Sequence, residues 1–564
     1  MATELPKEER TPEQRLFLDV LEFFRAHMEL PNVQAFRIKH EDELDVLKRL
    51  VDEGSLRVDR GGYRPTVTGL LTYADAEAEK EFESFARLLP AMRAAYQREP
   101  GRQWTAGELS ALAQMPVDEV VWVLKLFIED MSGLWVGYTW GPNGSNVTIT
   151  LAPEVLKAQP FDVAALREEK EQFSGGLQLK RLRVDGYRAL EGFEAQLDPL
   201  TVIIGANASG KSSLFDLLAF VSFATVNPLP AEIDPRSVGR TLFHLGAPER
   251  IDLSLLIERD TARPLRYAAN IRGPIGSPSV AWEQLVSMKA EPGGGTSEAF
   301  KYLDFRGGKG TVRGPRQMTQ PPWTLPGNEL ALRRALDPNL ITLNRFREYV
   351  SSWGFYAGFD VGRASAIRRP VPTEPEPILR EDGANLSAVL AFLMTEHSER
   401  WEELETHLRS AIPAFQSLSV KFKGGPGTAI GVWRESGVSG VLTLADLSDG
   451  TLKFLCWATL CLSPQKPPLV CVDEPELGLH PRVLPVLAGL LRQASADSQF
   501  LVATHSPYLL SQFSLEEIAV MKKVEGRAVL TRPASNEALR REIEELGTGE
   551  LARLHLSDEL EARS

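Results

Sequence analysis

The sequence predicts an α/β protein with a largely parallel sheet, preceded by smaller α+β domains. An apolar strand, a glycine-rich turn and an apolar helix follow one another over residues 200–222. Two further apolar runs, at 469–472 and 500–503, each end in polar residues, as buried parallel strands do at a functional sheet edge. The first 170 residues instead combine short helices with hairpins. We therefore expect two kinds of domain in one chain.

The composition fits a protein of several globular domains. The chain has 564 residues, of which 43% are hydrophobic and 25% charged, and that length allows roughly two to four domains. The formal net charge of -13 argues against a uniformly basic nucleic-acid coat, while it leaves room for a local basic groove.

Cysteine usage and hydropathy bear on the compartment. Cys456, Cys461 and Cys471 fall in one apolar stretch, and we interpret them as reduced core residues rather than as metal or disulfide partners. The polar N-terminus has no apolar signal core, and no run of about 18 apolar residues could span a membrane. We expect a cytoplasmic protein without a membrane partner.

Residues 1–80 and 81–170 repeat one pattern of two helices followed by a hairpin. Helices are predicted over 12–28, 40–54, 105–116 and 117–130, and the hairpins turn near Gly61 and near Gly144. This pattern resembles tandem winged-helix domains, followed by a helical linker at 162–178.

The second helix of each winged-helix-like unit is acidic where such helices enter a DNA groove. Asp118 and Glu119 begin the helix in the second unit, and Glu41, Asp42 and Glu43 begin it in the first. Because acidic side chains repel phosphate, this favours protein–protein docking over sequence-specific DNA reading, and a solvated scaffold is the third alternative.

Residues 205–213, GANASGKSS, follow the strand LTVII and precede an apolar helix. This is the G-x-x-x-x-G-K-[ST] loop in its strand–loop–helix setting, whose backbone amides surround nucleotide phosphates. Lys211 should reach the β- and γ-phosphates, and Ser212 offers its hydroxyl to Mg²⁺. The nucleotide-binding candidates of this loop are Gly205, Asn207, Ala208, Ser209, Gly210, Lys211, Ser212 and Ser213.

The run Leu469–Val472 ends in two adjacent acidic residues. A carboxylate at the end of such a strand can hold Mg²⁺, a role that we assign to Asp473. Glu474 beside it would polarise the attacking water as a general base.

Residues 447–450, LSDG, precede an amphipathic helix that leads into the Asp473 strand. The loop resembles the L-S-x-G signature of the ABC/SMC/RecF superfamily, although Asp449 and Thr451 stand where Gly and Gln are usual. The resemblance implies that Ser448 and Gly450 of one subunit cover the γ-phosphate bound by its partner. A plain helix cap is the alternative interpretation.

The same resemblance gives roles to two histidines. His505 follows the run Phe500–Ala503 and corresponds to the switch histidine, which contacts the γ-phosphate; Lys211, Glu474 and His505 are thus the predicted catalytic residues. His480 lies in the segment 475–481, which matches the family's D-loop, and we interpret it as positional.

Residues 178–560 resemble the AAA-type ABC ATPases grouped with RecF, OLD-family and SMC heads, in their compact predicted-ATPase branch. The expected fold is an α/β P-loop NTPase of the ABC/SMC-head type over 178–564, preceded by the α+β tandem winged-helix-like domains. We expect alternating strands and helices over 178–515, then a hairpin and two short helices. No Toprim nuclease domain fits in the residues after His505.

Two assignments from the resemblance stay open. Tyr187 and Arg188 are candidates for nucleotide contact, with a packed strand edge as the alternative. A Gln-loop is expected but has no clear position: Gln284 and Gln317 lie in unconvincing contexts, and 344–356 is another candidate.

A basic segment at 301–316 suggests a nucleic-acid track. It holds Lys301, Arg306, Lys309, Arg313 and Arg316 among glycines, and Arg363, Arg368 and Arg369 would add to it. A flexible solvated loop is the alternative.

The resemblance implies ATP and Mg²⁺ as ligands and a head-to-tail homodimer or higher oligomer. We expect an ATPase that closes on ATP and uses closure for DNA repair or anti-phage defence. One alternative is an ATP-dependent scaffold that sequesters and releases a partner nuclease or toxin. The other is an ATP-gated transcription regulator.

Overall fold

The computed structural model describes the chain outside residues 1–9, 28, 41–42, 53–54, 60–61, 67–68, 71–72, 74, 128–133, 141–146, 157–175, 230–241, 245–247, 260–262, 275–276, 291–295, 314–322, 336–339, 423–426 and 564. The chain forms two units. The first comprises Met1–Ser174, Thr311–Pro322 and Arg334–Phe346, and the second comprises Gly175–Gly310, Trp323–Arg333 and Arg347–Ser564.

The N-terminal part of the first unit contains helices and short strands, in the chain order α1 (Pro12–His27), α2 (Val33–Lys39), α3 (Leu44–Asp52), β1 (Leu56–Asp59), β2 (Gly62–Pro65), α4 (Asp75–Arg98), β3 (Gln103–Thr105), α5 (Ala106–Ala113), α6 (Val117–Phe127), β4 (Trp135–Trp140) and β5 (Val147–Leu151). Strands β1 and β2 pair as an antiparallel hairpin, and the second sheet has the order β3-β5-β4. Thr105 begins α5 through a capping box with Glu108, which fixes the start of that helix.

One continuous apolar core fills the first unit, because buried side chains of α1, α4, α6 and β5 belong to a single cluster. Every side chain of α6 from Val120 to Phe127 is buried, which leaves its first turn, with Asp118 exposed, at the surface. A helix with so little outward surface is a poor reader of a DNA groove. The winged-helix-like assignment and the two domain boundaries stay predictions, and both hairpin turns and most of the linker lie outside the described residues.

From residue 177 onward the elements are, in chain order, β6 (Leu177–Asp185), β7 (Phe193–Gln196), β8 (Leu200–Ile204), α7 (Lys211–Ala224), β9 (Arg250–Arg259), β10 (Leu265–Arg272), β11 (Ser279–Ala290), β12 (Thr296–Arg306), β13 (Lys309–Val312), β14 (Trp323–Thr324), α8 (Ala331–Arg334), α9 (Ile341–Ser351), β15 (Gly354–Tyr356), β16 (Val371–Pro372), α10 (Leu386–Glu396), α11 (Ser398–Ala411), β17 (Phe415–Phe422), β18 (Thr428–Glu435), β19 (Leu442–Thr443), α12 (Asp449–Leu462), β20 (Leu469–Asp473), α13 (Leu484–Ala494), β21 (Gln499–Ala503), α14 (Pro507–Leu510), β22 (Ile518–Val524), β23 (Arg527–Thr531), α15 (Glu537–Leu546), α16 (Gly549–Leu556) and α17 (Glu559–Arg563).

The predicted parallel sheet is present, with the strand order β15-β20-β21-β8-β22-β23. All of its neighbouring pairs are parallel except β22 with β23. Every residue of β8 and β21 is buried, as expected for largely apolar strands covered on both faces. With the nucleotide loop directly after β8, this is an α/β P-loop NTPase fold, which confirms the predicted fold class for this part of the chain.

A second sheet departs from the predicted alternation of strands and helices. Strands β6, β7 and β9–β14 form one sheet in the order β14-β13-β12-β11-β10-β9-β6-β7, and β9 to β12 pair antiparallel in succession. The expectation of alternating elements is therefore wrong over 250–313. Long antiparallel neighbours need only short connections, so no helix is required between them.

The core around the parallel sheet includes the helices α10 to α13. Phe359 packs on Trp457 of α12 at 4.5 Å between ring centroids. Cys456, Cys461 and Cys471 are all buried, which confirms them as core residues, and burial raises the pKa of the Cys461 thiol to about 12.

Within the described residues, none of the helices combines the length and the apolar character needed to cross a bilayer. The cytoplasmic location stays a prediction.

We predict that Phe500→Ala in β21 lowers the free energy of unfolding by about 3–5 kcal/mol, because it leaves a cavity in the centre of the parallel sheet. Phe500 is fully buried. Phe422, at the end of β17, is 54% exposed, so Phe422→Ala should change the free energy by less than about 0.5 kcal/mol. Denaturant titration followed by circular dichroism compares the two variants. Equal losses would contradict the placement of β21 in the core.

Candidate nucleotide-binding site

Three polar loops leave the parallel sheet at one edge. Asp473 at the end of β20 pairs with Ala503 at the end of β21, and Ala503 pairs with Ile203 near the end of β8. The residues that follow these strands therefore begin side by side at the carboxyl edge, which is where open α/β sheets bind ligands. The structure thus brings the nucleotide loop, the acidic pair and the segment of His505 together.

The loop between β8 and α7 depends on two glycines. Gly205 and Gly210 have φ angles of 150° and 119°, which are unfavourable for residues with a side chain. A Cβ atom on Gly205 would lie 2.0 Å from the carbonyl oxygen of Met521, and one on Gly210 would lie 2.9 Å from the Cβ of Ala528. The neighbouring strands β22 and β23 thus enforce the glycines, a constraint that the motif alone does not show.

Lys211 begins α7 and lies under the loop. Its ammonium group donates to the carbonyl oxygens of Gly205 at 2.6 Å and of Ala206 at 3.2 Å. Burial lowers the pKa of Lys211, and the charges of Asp473 and Glu474 partly offset that effect. Because the ammonium group is poorly solvated, its charged form is stabilised when an anion such as a phosphate binds beside it.

The residues of the loop fit a nucleotide phosphate. Ser209 is 4% exposed, and among the described residues its hydroxyl has no hydrogen-bond partner, so a polar ligand would satisfy it. Asn207, Ala208 and Ser212 are exposed, and Ser213 is partly exposed. The start of a helix adds its positive dipole end to the same place.

The acidic pair combines a strained backbone with like charges. Glu474 has a φ angle of 49°, and its amide donates to the carbonyl oxygen of Ala503 at 2.9 Å, so the turn is held in place by β21. Burial and the neighbouring Glu474 raise the pKa of Asp473, while Lys211 lowers it. Asp473 and Ser212 supply the oxygen ligands that suit Mg²⁺.

His505 lies beside Glu474, with 3.8 Å between His505 Nε2 and Glu474 Oε1. This separation is longer than a direct hydrogen bond, so the two side chains are close neighbours that are not directly hydrogen-bonded. Burial and the charge of Lys211 lower the pKa of His505, which favours the neutral imidazole at pH 7.

Glu476 orients the His505 segment and was not identified from the sequence. One of its carboxylate oxygens, Oε1, accepts hydrogen bonds from the Thr504 hydroxyl at 2.6 Å and from the amides of His505 and Ser506 at 3.2 and 3.1 Å. Its position two residues after Glu474 in the predicted D-loop was the only available signal. His480 caps a short helical turn by accepting from the Arg482 amide at 3.2 Å, which confirms its positional role.

The loop Leu447–Gly450 is exposed at its centre and tied to the D-loop. Ser448 is exposed and caps α12 by accepting from the Thr451 amide at 3.2 Å. A Cβ on Gly450 would lie 2.7 Å from the carbonyl oxygen of Gly478, so the loop packs closely on the D-loop. The helix-cap interpretation therefore holds, and it is compatible with the signature role, which stays a proposal.

The C-terminal helices also reach this site, which the sequence did not indicate. Glu561 of α17 acts electrostatically on both Lys211 and His505. Its carboxylate Oε1 lies 2.7 Å from Nδ1 of His555, and its backbone carbonyl accepts from Lys522 of β22 at 3.3 Å. The sequence predicted two short helices after the hairpin, where the described residues form three, and no sequence pattern indicated that they lie near the nucleotide loop.

Tyr187 and Arg188 have different surroundings from those expected of a nucleotide contact. Tyr187 is fully buried and packs on Phe220 of α7, so its ring offers no stacking face for a base; this favours the packed-strand alternative. The Arg188 side chain pairs with Asp216 of α7, which ties it to the helix that follows the nucleotide loop.

The three Gln-loop candidates lie in different parts of the chain's structure. Gln284 donates to Asp304 at 2.9 Å within the antiparallel sheet, away from the strands that carry the acidic pair, and Gln317 lies outside the described residues. Strand β15 ends at Tyr356, which pairs with Val472. The chain after Tyr356 therefore leaves the same sheet edge as Asp473, so only the last residue of the 344–356 candidate comes near that edge, and the position of the Gln-loop stays open.

The expected basic track is corrected in two respects. The segment 301–312 is a hairpin of β12 and β13 rather than a flexible loop, and Lys301 pairs with Glu298 and Asp304 at 3.5 and 3.4 Å. Of the remaining basic side chains, Arg306, Lys309, Arg313, Arg363 and Arg369 are exposed, whereas Arg316 lies outside the described residues.

Arg368 was expected on the same track and is instead 7% exposed. Its guanidinium group bonds to the loop that contains Ser448. It is therefore unable to contact nucleic acid.

Comparison with known families gives one match that covers more than half of the chain. Residues 200–511 match the family described as "AAA domain, putative AbiEii toxin, Type IV TA system". A curated relative, "Retron Vc95 probable ATPase" of Vibrio cholerae serotype O1 biovar El Tor, is 32% identical over 68 residues. That match covers 12% of this chain and 13% of the relative, so it spans a small part of either protein.

Solved structures with some similarity are SMC heads. One, the "SmcHead bound to the C-winged helix domain of ScpA", has 14% identity and a TM-score of 0.38, covering 63% of this chain and 97% of its own. A second, derived from Pyrococcus furiosus, is an SMC head "with an extended coiled coil bound to the C-terminal domain of ScpA"; it has 12% identity and a TM-score of 0.40, covering 65% and 100%. The fold assignment above rests on this chain's own strand order and nucleotide loop.

We predict that Gly205→Ala weakens nucleotide binding by at least ~10-fold and lowers the melting temperature, because its Cβ would collide with the Met521 carbonyl and force the loop open. The control is Gly489→Ala in α13, where a Cβ meets nothing within 4 Å, and where alanine should stabilise the helix by roughly 0.5–1 kcal/mol. Fluorescent-nucleotide titration and thermal unfolding measure both. Unchanged affinity in Gly205→Ala would contradict the loop geometry.

Proposed function

The chain belongs to this AAA domain family, and from that premise we propose that it hydrolyses ATP in a site completed by a second copy of the chain. Two copies would close head to tail on bound ATP and open after hydrolysis. The observation that carries this proposal is the meeting of the Lys211 loop, the Asp473–Glu474 pair and His505 at one edge of the parallel sheet.

Each side chain has a chemical task in this proposal. Lys211 and the amides of the loop bind the β- and γ-phosphates, so the charge that develops during phosphoryl transfer is stabilised in place. Glu474 accepts a proton from the attacking water, and His505, whose Nε2 is 3.8 Å from the Glu474 carboxylate, is close enough to contact the same water. A magnesium ion bound by Ser212 and Asp473 would neutralise phosphate charge.

The second copy supplies the Ser448 loop. Ser448 is exposed, and the amides at the start of α12 can meet a phosphate from outside. Leu477 and Tyr508, which lie close in sequence to Glu474 and His505, are 54% and 66% exposed. Large apolar side chains exposed beside a polar site favour a protein partner over bulk water.

We further propose that closure serves DNA-related work in repair or anti-phage defence. Arg306 and Lys309 flank the turn of the β12–β13 hairpin and are exposed, so the tip can contact a phosphate backbone. The name of the retron ATPase relative is consistent with a defence role.

A second candidate is an ATP-dependent scaffold that holds and releases a nuclease or toxin. It is favoured by the acidic exposed turn of α6 with Asp118, because an acidic surface on the N-terminal unit fits a basic protein better than DNA.

We predict that Glu474→Gln accumulates an ATP-bound dimer with turnover reduced at least ~100-fold, since binding survives while proton transfer is lost. Multi-angle light scattering at saturating ATP and phosphate release measure the two properties. The matched control is Lys211→Ala, which should lower nucleotide affinity at least ~100-fold and stay monomeric, because the phosphate-bridging charge is gone. A monomeric Glu474→Gln protein at saturating ATP would refute the dimer.

We predict that double-stranded DNA stimulates the wild-type ATPase and that Arg306→Glu combined with Lys309→Glu abolishes the stimulation, because the hairpin tip then repels phosphate. Arg541→Glu, a charge reversal at an exposed site on α15, is the control and should keep the stimulation. Steady-state phosphate release with and without DNA at two salt concentrations measures the effect. DNA without effect on the wild-type protein would favour the scaffold.

A further inference from the structure

Arg368 lies in a short helical turn that is fixed independently of its guanidinium group. The turn Ala366–Arg368 begins at Ser365, whose side chain accepts from the Ile367 amide. Ile367 is buried in the core that also contains Trp457 of α12. The Arg368 backbone is thereby anchored to the helix that follows the Ser448 loop.

The Arg368 guanidinium group contacts both arms of that loop. Its Nη1 atom donates to the carbonyl oxygens of three residues, at 3.2, 3.0 and 2.8 Å, namely Leu444, Ala445 and Leu447. Its Nη2 atom donates to Asp449 Oδ1 at 2.7 Å, and its Nε atom donates to the carbonyl oxygen of Val361 at 2.9 Å. The guanidinium group is planar and carries several N–H donors in fixed directions. It can therefore bond to all of these acceptors at once, whereas a lysine ammonium group cannot.

These contacts determine what the loop presents to the outside. The carbonyl groups of Leu444, Ala445 and Leu447 are directed to the guanidinium group, so negative backbone dipoles are removed from the outer face. Asp449 is 70% exposed and carries a charge that would repel a phosphate arriving at Ser448. The ion pair with the buried Arg368 neutralises that charge.

We propose that Arg368 is a positioning residue that shapes the loop Leu447–Gly450 to receive the γ-phosphate of ATP bound on a second copy. This role rests on the proposed composite site. It also accounts for Asp449 at a position where glycine is usual: the acid is tolerated because Arg368 neutralises it, and the resulting ion pair stiffens the loop.

Because Arg368 acts on the partner's nucleotide, its loss should leave binding on its own Lys211 loop intact. We predict that Arg368→Ala keeps nucleotide affinity within about 2-fold of wild type but lowers kcat at least ~100-fold, which is the behaviour of a group needed only after closure. The control is Arg369→Ala, which removes a neighbouring exposed arginine that donates to the carbonyl oxygen of Ala364, and it should stay within about 3-fold of the wild-type kcat.

Mixing variants tests the action across the dimer. In a mixed dimer of Arg368→Ala with Lys211→Ala, one site combines the intact Lys211 of the first copy with the intact Ser448 loop of the second. Equal mixing should restore a measurable fraction of the wild-type rate, at most about half, because each mixed dimer has one complete site of two. The control mixture, Ser448→Ala with Lys211→Ala, should behave in the same way.

The outcomes separate the two proposals. If the Ser448 mixture recovers activity and the Arg368 mixture does not, Arg368 has no positioning role across the dimer, while the composite site stands. If neither mixture recovers, the composite site is wrong and the role of Arg368 falls with it. Full activity of Arg368→Ala alone would also overturn the inference.

Folding of the variant is checked by its melting temperature. If Arg368→Ala is unfolded, Arg368→Lys replaces it in the same mixture, because a lysine keeps the charge beside Asp449 while losing the fork. A lowered kcat that recovers on mixing supports the proposal, and a lowered kcat without recovery overturns it.

Discussion

The parallel pairing of β20, β21 and β8 is the constraint on which the site depends. Asp473, Ala503 and Ile203 are lateral partners in one register, so three segments that together span 300 residues of the chain start at the same edge. A shift by one residue in any of these strands would turn its side chains to the opposite face and move its loop away from the others. Because these strands are buried and largely apolar, such a shift would be costly. Packing of the core thereby positions the polar residues of the site.

The sequence could indicate the segments that meet at this edge because their signals are local. A glycine-rich turn after an apolar strand, or an acidic pair at a strand end, identifies its own chemistry without knowledge of the fold. The contacts made by Glu476, Glu561 and Arg368 join segments far apart in the chain, so no local pattern indicates them. Arg368 is the clearest example, because the sequence alone does not show whether an arginine is exposed or buried. The structure shows that Arg368 is buried and bonds to a loop of its own chain, rather than lying on the surface where it could contact nucleic acid.

The sequence predicted alternating strands and helices where the structure has the antiparallel sheet, and the reason is related. Strands β9 to β12 carry an irregular alternation, with a buried Glu283 that accepts from the amides of Ala331 and Leu332 and from Tyr267. Burial raises the pKa of Glu283 to about 7. A charged residue within an apolar run argues for a surface position when only the sequence is known, yet here it satisfies the start of a helix.

Electrostatics links these observations into one requirement for turnover. Within one chain, the charges of Asp473, Glu474 and Glu561 act on Lys211, so these three carboxylates oppose the binding of an anionic phosphate. Positive charge from elsewhere is needed to make the site favourable for a tetravalent anion, and the magnesium ion supplies part of it. The helix dipole of α12 in a second copy can supply more, provided that Asp449 does not cancel it. The pairing of Asp449 with Arg368 meets that condition, so in the proposed dimer a contact within one head sets the charge that the neighbouring head's nucleotide meets on closure.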